Sequence, residues 1–599
     1  MYDVSLDQPR VVAGASRAET GLKADARRQW IWPRVSALAL VAAAFLLYTH
    51  PLEASKKDKQ AAAADSQKAN TARDQCAPEP GDAAPPLPAK ILDGQGHVHF
   101  PITTASAEAQ RYFDQGVAQM HSFWAREAER SFLQAAELDP TAPMPWWGVA
   151  MVAAGDYRPG FQLEFVNGVP TEPGKDVPKP ASELHGGALR AREAAQRAVE
   201  LSKTPGKASP LEKLYIRAVA ARRGSDSPQP AADYVHALRD LVAQYPAEVE
   251  AKTYLALILM SGFTTPDKKP RDGSMEAVEI LRGLLKTAPD HPGVHHYVIH
   301  GWEGSTFASE AWPSCEKYAK LVPNIPHALH MPGHIYAQTG RWQDAEAAFR
   351  AAATLERSYM DQDALYGTGH HGHNVHFEIV ALAFQGKFDE AIGLAHELME
   401  IPETPRQKSE VDDWYIADRQ GWFGLMRSLV YGERWADIVD SSKFPPMSTP
   451  RESAWYHWAR SIAYAEQGNA NIADAEMRQM DKQLKEWTVA TKNKKLPPAL
   501  AAARLELDGH VLAALHRGPE ALAVYERAST EERALRYTEP PAYPRPIAEV
   551  AGQLALALGD RARAAKFFET ALEQYPESRK AQQGLRAAAG KDTKQTATR

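Results

Sequence analysis

The sequence predicts an all-α solenoid, in which helical hairpins stack side by side. Small residues and aromatic residues recur with a period of about 34 residues, from about residue 105 to residue 590. Prolines punctuate many of these repeats, because a residue without an N–H ends the second helix of a pair. No stretch of note alternates apolar and polar residues as a half-buried strand would. We therefore expect the 599 residues to form one long repeat array after an N-terminal extension.

The N-terminal extension has three segments. Residues 1–29 form a tail, residues 30–50 are mostly apolar and are preceded by basic residues, and residues 51–92 are rich in Ala, Pro and charge. Basic residues before such a run predict a transmembrane signal anchor with a cytoplasmic tail, and a cleaved signal peptide is the alternative. The third segment reads as a low-complexity linker. We expect a single-pass protein of the bacterial inner membrane, with its repeats in the periplasm.

The composition excludes several partners and cofactors. A formal net charge of -6 and the absence of a basic block argue against nucleic acid. The two cysteines, Cys76 and Cys315, are far apart, which argues against a disulfide framework or a thiolate metal site. Any metal bound here must use nitrogen and oxygen ligands.

The repeats fit the tetratricopeptide pattern, which places small residues and an aromatic at fixed positions. The best copies are residues 109–142, 326–359, 502–535 and 545–578. Residues 93–290 form an N-terminal block with an insertion near 155–183. Residues 291–405 form a central block, residues 406–590 a C-terminal block, and residues 591–599 a tail.

Histidines are concentrated in the central block, where eleven of the 21 fall between His291 and His376. Their gaps of three and four residues place side chains on one helical face. On the tetratricopeptide pattern, eight polar side chains take groove-lining positions of three successive first helices: His296, His300, Glu303, His327, His330, His334, His373 and His376. Because neighbouring helix axes lie about 8–10 Å apart, these side chains should converge.

Aligned imidazoles and a carboxylate predict a transition-metal site, with Zn, Cu or Fe as the ion. The expected ligands are His296, His300, Glu303, His330, His334, His373 and His376. Glu303 could instead act as a general base, and His327 is the second candidate catalytic residue. We expect His295 to pack inside its repeat, and His370 and His371 to lie on an insertion over the groove. His121 belongs to a distant repeat and is not a first choice.

The phrases HHYVIHGWE, PHALHMPGHIY and YGTGHHGHNVHF, with the opening HVHFPITT and the closing YTEPPAYPRP, resemble an uncharacterised family of exported bacterial tetratricopeptide proteins. The resemblance runs from about His97 to Arg586. It implies an exported repeat protein with a special central site, and it names no reaction. The Gly-His-His-Gly run and the insertion near 155–183 depart from the usual form.

Two functions follow from these patterns. The first is a membrane-tethered periplasmic metal-dependent enzyme, either a hydrolase or an oxidoreductase. The alternative is a tetratricopeptide scaffold of the cell envelope that binds a peptide or protein in its groove without catalysis.

Overall fold

The computed structural model describes residues 88–163, 165–166, 169–170, 186–224, 227–363, 366–402, 416–491 and 495–590, which all belong to one compact unit. The predicted tail, anchor and most of the linker lie outside these residues, as does the C-terminal tail. None of the described helices combines the length and the hydropathy needed to cross a membrane.

The described chain is built from α-helices that follow one another as packed neighbours. The N-terminal block contains α1 Ala107–His121, α2 Ala125–Leu138, α3 Met144–Val152, α4 Gly160–Leu163, α5 Gly186–Ser202, α6 Pro210–Arg223, α7 Pro230–Gln244, α8 Val249–Leu259 and α9 Ser274–Thr287. Two short antiparallel strands, β1 Phe165–Val166 and β2 Val169–Pro170, lie in the predicted insertion.

The central block contains α10 Pro292–Trp302, a 3₁₀ turn Ala308–Ala311, α11 Trp312–Leu321, α12 Pro326–Gln338, α13 Trp342–Gln362, α14 Thr368–Phe384 and α15 Phe388–Met399. The C-terminal block contains α16 Ala417–Tyr431, α17 Trp435–Val439, α18 Pro450–Glu466, α19 Ala470–Thr491, α20 Pro498–Ala514, α21 Gly518–Arg533, α22 Ile547–Ala557, α23 Arg561–Gln574 and α24 Arg579–Ala588. The prediction of an all-α solenoid is confirmed for the described residues.

The repeat pattern produces this packing through glycines that sit against aromatic rings. A Cβ added at Gly116 would lie 2.6 Å from the ring of Phe132, and one added at Gly552 would lie 2.7 Å from Phe568. Gly509 faces Tyr525 in the same way. The first helix of each pair approaches the second closely because no side chain stands between its backbone and that ring.

The C-terminal block packs back onto the central block. The Trp342 indole N–H donates to the Pro576 carbonyl at 2.8 Å, and the Tyr575 and Phe384 rings stack with centroids 4.7 Å apart. The chain between α21 and α22, residues 535–546, crosses toward the central helices, and we call it the strap. Together with α4 it encloses the central histidines, so the expected open groove is filled in this region.

Candidate metal centre

Three imidazoles from α10 and α12 meet in the first of two groups, which we call site 1 (His296, His300 and His327). One ring nitrogen from each histidine lies within 4.8 Å of the other two, and the Nε2 atoms of His296 and His300 are 3.1 Å apart. The Phe123 ring packs against all three, with centroid separations of 4.4, 5.3 and 5.5 Å. An apolar cap of this kind limits access of water to the three nitrogens.

Hydrogen bonds fix which nitrogen carries the proton in two of these rings. Nδ1 of His296 faces the carbonyl oxygen of His121 at 2.5 Å, and Nδ1 of His300 faces a carboxylate oxygen of Glu303 at 2.9 Å. The His121 carbonyl can only accept, so Nδ1 of His296 carries the proton, and the ionised Glu303 carboxylate accepts from Nδ1 of His300 in the same way. The Nε2 lone pairs of these two histidines therefore point into site 1. Nε2 of His327 is also buried and has no hydrogen-bond partner among the described residues.

The site 1 histidines are held neutral. Burial lowers the pKa of His300 to about 4, and burial with neighbouring imidazoles lowers the pKa of His296 and His327 well below the usual value. Neutral imidazole is the form that binds metal ions, so the environment prepares these side chains as ligands.

A second group lies around His334. One ligand atom each of Glu303, His334 and Glu539 lies within 4.8 Å of the others, and His330 contacts His334 from the preceding turn of α12. We call His330, His334 and Glu539 site 2. The Nε2 atoms of the two histidines are 2.8 Å apart, and a carboxylate oxygen of Glu539 lies 3.6 Å from Nε2 of His334. Both imidazoles are buried, on successive turns of α12, with the rings of Phe349 and Phe377 packed beside them. Glu539 comes from the strap, 205 residues further along the chain than His334.

Glu303 lies between the two sites and is fully buried. One of its carboxylate oxygens accepts from His300, and the other accepts from the Tyr537 hydroxyl at 2.7 Å. That hydroxyl is also 3.1 Å from Nδ1 of His334. Burial raises the pKa of Glu303, and burial together with the charge of Glu303 raises the pKa of Glu539. This carboxyl pair can therefore hold a proton near neutral pH.

A cavity of about 40 Å³ opens beside Glu303. Its lining includes Phe161, Phe263, Gly304 and Tyr537. A space of this size holds a water molecule or a comparably small ligand and has no room for a peptide.

The other predicted residues lie outside the two sites. The His373 ring is 4.9 Å from that of His330, so His373 borders site 2. His376 instead faces the Gln420 side-chain oxygen at 2.6 Å through Nδ1. His295 packs inside its repeat, as expected, with its nitrogens on Ser314 and the Pro289 carbonyl.

The structure shows the conformation of the insertion that carries His370 and His371. Both residues lie in the first turns of α14. His371 is buried against α13, where its Nδ1 contacts the Ala353 carbonyl at 3.0 Å. The helix begins earlier than the repeat spacing suggests and absorbs the end of the insertion.

A third cluster of His121, His291 and Glu250 lies next to site 1. The two Nε2 atoms lie 2.7 and 2.8 Å from the Glu250 carboxylate oxygens. Nδ1 of His291 accepts the Val294 N–H at 3.2 Å, so its proton is on Nε2 and is donated to Glu250. A metal ion would need a free lone pair on Nε2 of His291, which carries a proton instead. We therefore interpret this cluster as a structural hydrogen-bonded group.

Sequence reasoning missed Glu539 and Tyr537, and it set His121 aside. The strap phrase YTEPPAYPRP was visible, but nothing in its spacing relates it to helices more than 200 residues away. His121 was passed over because of its distance along the chain, whereas its carbonyl orients His296. Both contacts depend on packing between repeats that are far apart in the sequence.

Comparisons with known proteins identify no family for this chain. No family model matches it, and no curated protein matches its sequence. Solved structures that align with it include a tetratricopeptide repeat protein from Parabacteroides merdae, at 13% identity over 57% of this chain and 96% of that one, with a TM-score of 0.30. Human IFIT1 aligns at 11% identity over 81% and 91% of the two chains, with a TM-score of 0.32.

Proposed function

We propose that this protein is a metal-dependent enzyme whose transition-metal ion is held by His296, His300 and His327. One observation carries the proposal: two buried imidazoles and one half-buried imidazole converge, and hydrogen bonds on the far side of the two buried rings turn their lone pairs toward the shared space. An outer partner that orients a ligating histidine is the usual arrangement in metal sites.

This geometry supports roles that differ from those expected from the sequence. His327 belongs with the ligands, because a ring nitrogen of His327 lies within 4.8 Å of those of His296 and His300. Glu303 faces the opposite nitrogen of His300, so it orients that ring instead of binding the same ion. Zinc, copper and iron all accept such nitrogen ligands.

We favour hydrolysis as the reaction class. A divalent ion on three nitrogen ligands would keep a position open and supply Lewis acidity toward a water there. The chain supplies a proton carrier nearby, since Glu303 lines the small cavity and accepts a hydrogen bond from Tyr537. The cavity has room for a water molecule and none for a peptide.

Metal analysis of the purified full-length protein tests the proposal. The wild type should retain a transition metal through dialysis, and His327→Ala should weaken the binding at site 1 by at least about 100-fold, because even outer-shell changes cost about 10- to 100-fold. His295→Gln is the matched control, since His295 lies on the same helix as two ligands and contacts Ser314 instead. Equal metal affinity in His327→Ala and wild type would exclude site 1.

Activity provides the second measurement. Turnover in a panel of ester, phosphoester and amide substrates should disappear with a chelator and return with one metal. Turnover that appears only with an electron acceptor or O₂ would show that the same site carries out a redox reaction rather than hydrolysis.

We also propose that the repeat domain acts in the periplasm, tethered by residues 30–50. The support is the order of basic and apolar residues in the sequence. Protease added to spheroplasts should digest the repeat domain, and full protection would place it in the cytoplasm.

A further inference from the structure

We propose that the protein holds a second metal ion, at site 2, with His330, His334 and the strap residue Glu539 as its ligands. This site uses none of the three ligands of site 1. It is a two-histidine, one-carboxylate set, which suits a divalent first-row ion such as Zn²⁺ or Fe²⁺.

Two of the three ligand separations fit a shared ion. Ligand bonds of about 2.0–2.2 Å at angles of about 90–120° place neighbouring ligand atoms about 2.8–3.8 Å apart. The observed separations are 2.8 Å between the two imidazole nitrogens and 3.6 Å from His334 to the Glu539 oxygen. The second separation is too long for a hydrogen bond, and the hydrogen bonds of Glu539 go instead to Gln162 and to the carboxyl group of Glu303.

The hydrogen bonds around site 2 orient its ligand atoms inward. Tyr537 donates its hydroxyl proton to Glu303, so its oxygen accepts from Nδ1–H of His334. The Nε2 lone pair of His334 is then directed toward His330. Gln162 donates to the other oxygen of Glu539 at 3.2 Å, which leaves the first oxygen to face the imidazoles.

Glu303 connects the two sites. It accepts directly from a ligand of site 1 and, through Tyr537, supports a ligand of site 2. Glu303 contacts His300 and, through Tyr537, His334 on the Nδ1 side of each ring, opposite the Nε2 atoms that would bind the ions. Glu303→Gln should therefore weaken metal binding at both sites.

Titration of the metal-free full-length protein with Co²⁺ tests the second site. The wild type should bind about two ions in two steps with separate visible spectra. Glu539→Gln should remove one step and leave the other unchanged. Glu532→Gln is the matched control, because Glu532 is also a buried glutamate and is hydrogen-bonded to Gln574 outside both sites. A single Co²⁺ step in the wild type, or two unchanged steps in Glu539→Gln, would overturn the proposal.

The outcome separates the two proposals. If His327→Ala removes the single ion found and Glu539→Gln does not, site 1 stands and site 2 is excluded. If Glu539→Gln removes it and His327→Ala does not, site 2 stands alone. Should Glu539→Gln lose helical circular dichroism, His330→Gln, which alters α12 rather than the strap, gives the same readout.

Discussion

At the scale of single residues, the environment of each histidine decides its role. His296 presents a lone pair to site 1 because a carbonyl holds the proton on its other nitrogen. His291 lies only five residues earlier, but a backbone N–H reverses its tautomer and makes it a donor to Glu250. Both are histidines at the start of α10, His291 as its N-cap and His296 within the helix. The second partner of each ring separates a candidate ligand from a structural histidine.

His376 makes the stability of the protein sensitive to acid. Burial, with Arg427 nearby, lowers the pKa of His376 from 6.5 to about 3. A pKa lowered in the folded state means that the unfolded chain binds the proton first. The stabilisation is therefore complete above about pH 6.5 and is lost as pH falls toward the folded-state value.

Because the unfolded chain binds a proton at His376 before the folded protein does, we expect the free energy of unfolding to fall by about 2 kcal/mol between pH 7 and pH 5. His376→Gln removes the titrating group and keeps a donor for Gln420, so its loss should be smaller by that amount. Urea unfolding with a chelator present measures both. His236→Gln is the control, since the His236 side chain is 80% exposed, and equal losses in all three proteins would contradict the prediction.

At the scale of helices, the glycine–aromatic contacts set how closely paired helices approach. Gly333 lies between His330 and His334 on α12, and a Cβ there would overlap the ring of Phe349. The same stretch contains Pro332, which has no N–H for a helical hydrogen bond, yet α12 continues through it. Packing on both sides of α12 overrides this local preference.

Gly333→Ala should therefore destabilise the protein by about 1–3 kcal/mol, because the added methyl overpacks the α12–α13 contact. Gly283→Ala is the matched control. Gly283 is also helical, but nothing lies within 4 Å of its added Cβ, so this change should stabilise by up to about 1 kcal/mol. Chemical unfolding of both variants measures the difference, and a neutral Gly333→Ala would show that the ring moves aside freely.

At the scale of the whole molecule, the C-terminal block packs against the central block and brings the strap to the central helices. Arg427 on α16 holds the strap by donating to the carbonyls of Pro541, Tyr543 and Pro544 at 2.7–3.1 Å. The Tyr543 hydroxyl adds a bond to Glu506 at 2.6 Å. These contacts lie a few residues beyond Glu539 and position it.

Arg427→Met keeps the bulk of the side chain but leaves three strap carbonyls without their donor. We expect faster hydrogen exchange in the strap and about 10- to 100-fold weaker metal binding at site 2, as for other changes behind a ligand. Site 1 should keep its affinity, because its three ligands lie on α10 and α12. Arg460→Met is the control, since Arg460 pairs with Glu476 away from the strap. Unchanged exchange in the strap would show that other contacts hold it.

The sequence by itself determined the helical class and the concentration of histidines in the central block, and it predicts the positions of the repeats. Periodicity specifies these features because helical spacing and close helix pairing are local properties of the chain. The predicted groove positions of His296, His300, His330 and His334 follow from the same local rule. The anchor and linker stay predictions, since they lie outside the described residues.

Only the tertiary structure decided which of these side chains share a site and how each is oriented. Tyr537 and Glu539 join the centre because the C-terminal block folds back, and no spacing in the sequence encodes that contact. The tautomers of His300 and His334 depend on Glu303 and Tyr537, which converge only in the folded chain. Long-range packing, rather than periodicity, turns a histidine-rich stretch into two separate sets of candidate ligands.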